Sequence, residues 1–210
     1  MEEASRIAHQ QAVTPAIVLA AGKSSRMGRP KALLPIGRTG ETFLTHIIRQ
    51  LRGGGIERII VVIGGHAADV RASLAADDSS LRVVENPHFE EGQLSSLLVG
   101  LESADGPDVD AVMMTLVDLP LITSETVRTV LDAHRHAPDA PLVRPRRGGR
   151  HGHPVVFHRK LFDELRRADP SSGAKPVVHA HAAEEVSVDV ADDGPFTDID
   201  TPEDYEKFIG

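Results

Sequence analysis

The chain has no cysteine. A disulfide framework, a cysteine nucleophile and every thiolate metal site are therefore excluded. Tryptophan is absent too, and six phenylalanines and one tyrosine make up the whole aromatic complement. That is too few rings for a single-strand nucleic-acid platform, which stacks successive bases on aromatic side chains. No apolar run comes near the ~20 residues that a membrane-spanning helix needs. The longest, such as residues 59–63 and 111–117, are strand-sized. Bases are the minority, 23 against 31 acids, for a net charge of −8. A protein that grips duplex DNA through its overall charge has the opposite balance. Residues 1–14 are polar and lack the apolar core of a secretion signal, so they read as a loose prefix to a cytoplasmic protein.

What is present suits one α/β domain over residues 15–210. A length of 210 residues buries a sizeable core without disulfides or a structural metal. Residues 16–20 are a short, fully apolar run, typical of a buried parallel strand. Leu44, Ile47, Ile48 and Leu51 then recur at helical spacing, and Gly53, Gly54 and Gly55 end that helix. Strands are expected again at 58–63, 81–84 and 110–117. Between them fall a short helix over 66–74 and a stripe of Leu94, Leu97, Leu98 and Leu101. Thr123 is placed to N-cap a helix carrying Val127, Val130 and Leu131. This alternation implies a Rossmann-like three-layer sandwich with a mostly parallel central sheet. Beyond about 138, short strands at 141–143, 154–157 and 186–190 surround helices near 159–168 and 174–182. A last helix starts at Thr201-Pro202, with proline in its first turn.

The loop after the first strand carries the most chemistry. Open α/β sheets bind ligands at this position. Ala20, Ala21 and Gly22 let another group approach the backbone, and successive loop N–H groups can form an anion-binding concavity. Lys23, Arg26, Arg29 and Lys31 add four positive charges with no acid among them, which points to a polyphosphate. The alternative is an ordinary basic surface loop. Gly22-Lys23-Ser24 is not a P-loop, because that motif needs a glycine five positions earlier and Ile17 stands there.

Two acidic motifs lie far apart in sequence. Asp118 follows an apolar strand and precedes Pro120, at the sheet's carboxyl edge. Asp198 and Asp200 sit in a turn before the final helix. Mg²⁺ prefers one or two carboxylates completed by phosphate oxygens and water, and such aspartates meeting at one edge would supply them. Each also has a plain alternative as a turn or helix cap. Gln93 and the free N–H groups of the next helix start could read a base edge, or Ser95 and Ser96 could simply support the first turn. His151 and His153 could be a zinc pair, but a third ligand would have to be guessed. His134, His136, His158, His179 and His181 read as surface or helix residues.

The segment Leu19-Ala-Ala-Gly-x-Ser-Ser-Arg-Met-Gly-x-Pro-Lys31 resembles the signature loop of MobA-like nucleotidyltransferases, and more narrowly of molybdenum cofactor cytidylyltransferases. Four further segments fit in order: Asn86-Pro-x-Phe-x-x-Gly-Gln-x-Ser-Ser-Leu97, Val117-Asp-x-Pro120, Gly149-x-His-Gly-His-Pro154 and Asp198-Ile-Asp-Thr-Pro-Glu-Asp204. The guanylyltransferase relatives usually carry Ala-Gly-Gly where this chain has Ala20-Ala21-Gly22. The resemblance implies an enzyme that transfers CMP from CTP to the terminal phosphate of molybdopterin. A guanylyl or other nucleotidyl transfer to a different small phosphate, such as a sugar phosphate, and a non-catalytic cofactor chaperone remain as alternatives.

By the same resemblance, nucleotide contacts fall to Leu19, Ala20, Ala21, Gly22, Ser24, Ser25, Arg26, Lys31, Gln93 and Ser95. Arg26, Lys31 and Asp118 would be catalytic, and Mg²⁺ would lie between Asp118 and Asp200. His151, His153 and Pro154 would contact the acceptor. A nucleotide-binding part over about 15–137 would precede an acceptor-binding part over about 138–210, and a client molybdoenzyme is an expected partner. Charge is segregated along the chain. Residues 4–40 and 140–162 hold six bases each and no acid, which leaves 11 bases against 31 acids elsewhere. One cationic stretch is thus expected on each substrate's side of the cleft, which can attract small anions while the bulk surface repels nucleic acid.

Overall fold

The computed structural model describes residues 13–37, 40–74, 78–170 and 172–209. Most of the expected prefix, with Arg6 and Arg38 of the first basic stretch, lies outside them. Val13 is not loose, since its N–H donates to the Asp108 carbonyl at 2.8 Å.

Among the described residues, eight strands form one sheet. In order they are β1 (Ala16–Ala20), β2 (Ile59–Ile63), β3 (Leu81–Glu85), β4 (Ala111–Leu116), β5 (Leu142–Arg147), β6 (Arg150–His151), β7 (Val155–His158) and β8 (Val186–Asp189). The spatial order is β3-β2-β1-β4-β7-β5-β6, with β8 paired to β5. β3, β2, β1 and β4 run parallel, whereas β7 is antiparallel to both β4 and β5. The chain builds outward from β1 to β3, then returns to lay β4 on the other side of β1. That reversal opens a crevice at the carboxyl ends of β1 and β4, the position where such sheets take ligands.

Among the described residues, seven α-helices flank the sheet: α1 (Phe43–Gly53), α2 (Ala67–Ala72), α3 (Gln93–Ala104), α4 (Ser124–His136), α5 (Phe162–Arg167), α6 (Lys175–Ala180) and α7 (Pro202–Phe208). The period-2 pleat divides each central strand between two cores. Ala16, Val18, Ile59, Val61, Ala111 and Met113 face one, with Phe43, Leu44 and Ile47 of α1 and Val127 and Val130 of α4. Ile17, Leu19, Ile60, Val62, Val112 and Met114 face the other, with Leu94, Leu97 and Leu101 of α3. Both faces are buried, which is why these strands read as unbroken apolar runs.

Caps fall where side-chain chemistry puts them. The Thr123 hydroxyl accepts from the Thr126 N–H at 3.1 Å, and Thr201 and Asp204 form a capping box around Pro202. Gly54 ends α1. A Cβ on Gly54 would lie 2.3 Å from Val127 Cγ1, so the glycine also lets α1 approach α4. Gly100 does the same for α3: a Cβ there would lie 2.5 Å from Ile17 Cγ2 and 3.1 Å from Val62 Cγ2.

One histidine shares the buried face of its helix. His134 is one of the helix residues rather than a surface one: it lies in α4 and is 2% exposed. Burial pushes its imidazole below the ordinary value, against the opposing charge of Asp110.

Two outcomes follow. Gly100→Leu overpacks the α3–sheet seam and should cost about 1–3 kcal/mol of unfolding free energy in urea titration. A buried neutral His134 binds fewer protons folded than unfolded, so its contribution is complete above the unfolded value of about 6.5 and is lost as pH falls below it. The thermal midpoint should therefore drop on acidification from about pH 7 to 5, and drop less in His134→Gln.

Candidate active site

The parallel register brings three distant segments to one edge. Leu19 pairs with Leu116, and the Val117 N–H donates to the Leu19 carbonyl at 3.1 Å. The loop after β1 therefore lies beside Asp118. The Ile199 N–H donates to the Asp118 carbonyl at 2.8 Å, which draws the segment before α7 to the same place.

Lys31 joins the three. It is 9% exposed, and its ammonium lies 3.4 Å from Asp118 Oδ2 while also bonding Asp200 Oδ1. Arg26 pairs with the other Asp200 oxygen at 2.8 Å. Hydrogen bonding from Lys31, reinforced by its charge and that of Arg26, holds the Asp200 carboxyl below the usual range. Asp198 is pushed the other way, by burial and then by the charges of Asp118 and Asp200. Asp118 Oδ1 is buried and has no hydrogen-bond partner among the described residues.

The loop is shaped by Ser24. It is the one non-glycine with a positive φ (52°) among the described residues. Its Oγ accepts from the Lys31 N–H at 3.0 Å, and its carbonyl accepts from the N–H groups of Met27 and Gly28. The turn is thus tied at both ends, which fixes where Lys31 starts.

A cleft of about 360 Å³ opens here. Leu19, Ala20, Ala21, Gly22, Ser24, Ser25, Arg26, Lys31, Gln93, Asp118 and Asp200 all line it. Ser95 does not. Its hydroxyl donates to the His88 and Gly92 carbonyls and accepts from Asn86 Nδ2 at 2.9 Å. Ser96, one position on, faces the cleft instead. Asn86 is 1% exposed and ties the β3–α3 turn to both serines. Phe89, part of the Asn86–Leu97 motif, and His66, which carries no sequence signal of its own, also line the cleft.

A second cleft, of about 530 Å³, lies on the other side of Gly92 and Gln93, which line both. His151 and His153 line it, as do Arg144, Lys175 and His179. Pro154 is buried and does not line either cleft. His153 is pushed below its ordinary value by burial, so its imidazole is neutral at pH 7.

The second basic stretch is not the open cationic field that its composition suggests. Arg146 pairs with Asp189 and Arg147 with Asp193, each at 3.1 Å. Arg150 pairs with Asp193 and Arg159 with Asp105. Acids distant in sequence neutralise those charges, and of the stretch's bases Arg144 alone lines the cleft.

The donor set fits a hard divalent cation. Asp118 offers a buried unpartnered oxygen, and an ammonium already stands between Asp118 and Asp200. Among the described residues no group of three or more His, Asp or Glu could hold a metal ion. Two carboxylates completed by phosphate oxygens and water is the Mg²⁺ pattern, not a protein cage.

The MobA-like NTP transferase domain model matches residues 16–186. A bifunctional IPC transferase and DIPP synthase of Rubrobacter xylanophilus is 30% identical over 90% of the chain, which spans 50% of that relative's length. A molybdenum cofactor cytidylyltransferase of Escherichia coli is 26% identical, with 90% and 92% of the two chains covered. A probable molybdenum cofactor guanylyltransferase of Rhodopirellula baltica is 28% identical over 76% of this chain and 82% of its own. Among solved structures, Rv0371c of Mycobacterium tuberculosis, in complex with manganese, is 31% identical with a TM-score of 0.73, covering 94% of this chain and 98% of that one.

Removing the bridging charge should be costly. Lys31→Met leaves two part-buried carboxylates facing each other and should lower stability by about 1–3 kcal/mol in urea unfolding. Arg26→Met, at a largely exposed guanidinium, should cost less than about 1 kcal/mol. Equal losses would contradict the assignment of Lys31 as the bridge.

Proposed function

This chain belongs to the MobA-like NTP transferase family, and we propose that within it the protein transfers CMP from CTP to the terminal phosphate of molybdopterin, releasing pyrophosphate. The observation that carries the transfer reading is the juxtaposition of Arg26, Lys31, Asp118 and Asp200 at one cleft beside a second cleft that shares Gln93. The cytidylyl choice is supported by Ala20-Ala21-Gly22 and by the likeness to the Escherichia coli cytidylyltransferase. A guanylyl donor is the second reading, favoured by the likeness to the Rhodopirellula protein.

The residues divide the work. Backbone N–H groups of the Ala20–Ala21–Gly22 turn cradle phosphate oxygens. Arg26 and Lys31 turn from the carboxylates to the triphosphate and balance the charge that grows on the leaving pyrophosphate. Asp118 and Asp200 would hold Mg²⁺, which would supply neutralisation of charge on the phosphate oxygens. Gln93 presents an amide that both donates and accepts, suited to a base edge or to the acceptor. No general base is needed, because a phosphate monoester is already largely ionised near neutral pH. Position and charge carry the reaction, and the in-line phosphate attack asks no covalent chemistry of the protein.

Pyrophosphate release with CTP, Mg²⁺ and molybdopterin is the test. Asp118→Ala should lower turnover by about 100-fold or more, and undiminished turnover would sink its assignment. In a thermal-shift series with Mg²⁺, CTP should raise the midpoint more than GTP, ATP or UTP, since the rise follows affinity. A larger shift with GTP would move the conclusion to the guanylyl reading.

A further inference from the structure

Lys31 is a phosphate partner in the transfer reading, yet in the free protein it points at carboxylates. Its side chain is 11% exposed, and its ammonium bonds Asp200 Oδ1 and lies 3.4 Å from Asp118 Oδ2. The backbone beneath it is fixed, because its N–H donates to Ser24 Oγ at 3.0 Å. Any change of partner is therefore a swing of the side chain alone.

Asp118 and Asp200 are the two acids that line the first cleft among the described residues. Two other cations line it, Lys23 and Arg26. Lys23 pairs with Glu90, and Arg26 with Asp200. The Arg26 side chain is 67% exposed, so water screens its pair. The Lys31 charge is the part-buried one and acts at closer to full strength. Lys31 and Arg26 together balance Asp118 and Asp200. A divalent ion that entered alone would leave an excess of positive charge and strand the Lys31 ammonium, since no further acid lines the cleft. An ion that entered with a triphosphate would arrive with negative charge, and phosphate oxygens would receive both Lys31 and Arg26.

We propose that Lys31 is a tethered cation that closes the Asp118–Asp200 site to a lone divalent ion, so that the site selects the metal–triphosphate complex over the bare metal. The triphosphate rests on the transfer reading, but the closure itself is measured without any nucleotide. Lys31 then has two duties in succession. It neutralises the carboxylates before the nucleotide arrives and the phosphates afterwards.

The probe is Mn²⁺ alone, added to the full-length protein without nucleotide and followed by electron paramagnetic resonance. Wild type should bind it weakly. Lys31→Met should bind it about tenfold more tightly or better. Lys31→Arg, which keeps a charge at the site, should stay near wild type. Lys31→Met combined with Asp118→Asn should lose the gain. In thermal denaturation Mn²⁺ alone should raise the midpoint of Lys31→Met and leave that of the wild type nearly unchanged, because the rise follows affinity for the native state. A further measurement uses the wild type and decides the matter even where Lys31→Met does not fold. The Lys31 ammonium signal in NMR should ignore Mg²⁺ alone and shift with Mg²⁺ and CTP together. Equal Mn²⁺ affinity in Lys31→Met and wild type, a gain that survives Asp118→Asn, or a wild-type Lys31 signal displaced by Mg²⁺ alone would overturn the proposal. If Lys31→Met gains Mn²⁺ affinity while CTP binds neither protein, the closure stands and the transfer reading falls.

Discussion

The contact on which the rest depends is the Lys31 ammonium between Asp118 and Asp200. Three segments otherwise far apart in sequence converge on it, and two of them bring carboxylates. Without a cation between them, those carboxylates would repel each other in a partly buried place. An internal lysine satisfies that requirement in the free protein. A divalent ion carried in with a triphosphate would satisfy it again, and would release Lys31 toward the phosphates.

The sheet makes this convergence inevitable. β1 and β4 are parallel neighbours at the point where strand order reverses. Their carboxyl ends therefore open side by side, and the backbone bond from Ile199 to Asp118 adds the third segment. Beyond β4 the direction changes. β7 runs antiparallel, and that switch builds the second cleft next to the first. Gly92 and Gln93, at the start of α3, form the partition. Under the proposed transfer, a nucleotide and its acceptor held on either side of such a partition would meet with little freedom left to lose, which is how positioning accelerates a displacement.

Much of this was legible in the sequence because one physical signal dominated each feature. Apolar runs buried on both faces marked β1, β2 and β4, and the leucine stripe marked α3. The loop's basic residues, and Asp118 at a strand end, were readable for the same reason. What was not legible depended on tertiary partners. Asp189, Asp193 and Asp105 neutralise arginines some tens of residues away, so a basic stretch in sequence is not a basic surface. Ser95 and Ser96 differ by about 100° around a helix, enough to send one to the Asn86 turn and the other to the cleft. His134 follows Val127, Val130 and Leu131 at helical spacing, so the period of α4 placed it on the buried face and only its polarity argued otherwise.

The central claim, that Asp118 and Asp200 form a cation site completed by a nucleoside triphosphate, is tested most directly by Mn²⁺ binding. Electron paramagnetic resonance should find weak binding to the protein alone, tight binding when CTP is added, and loss of that gain in Asp118→Ala and in Asp200→Ala. Tight Mn²⁺ binding that ignores CTP and survives removal of both carboxylates would contradict it.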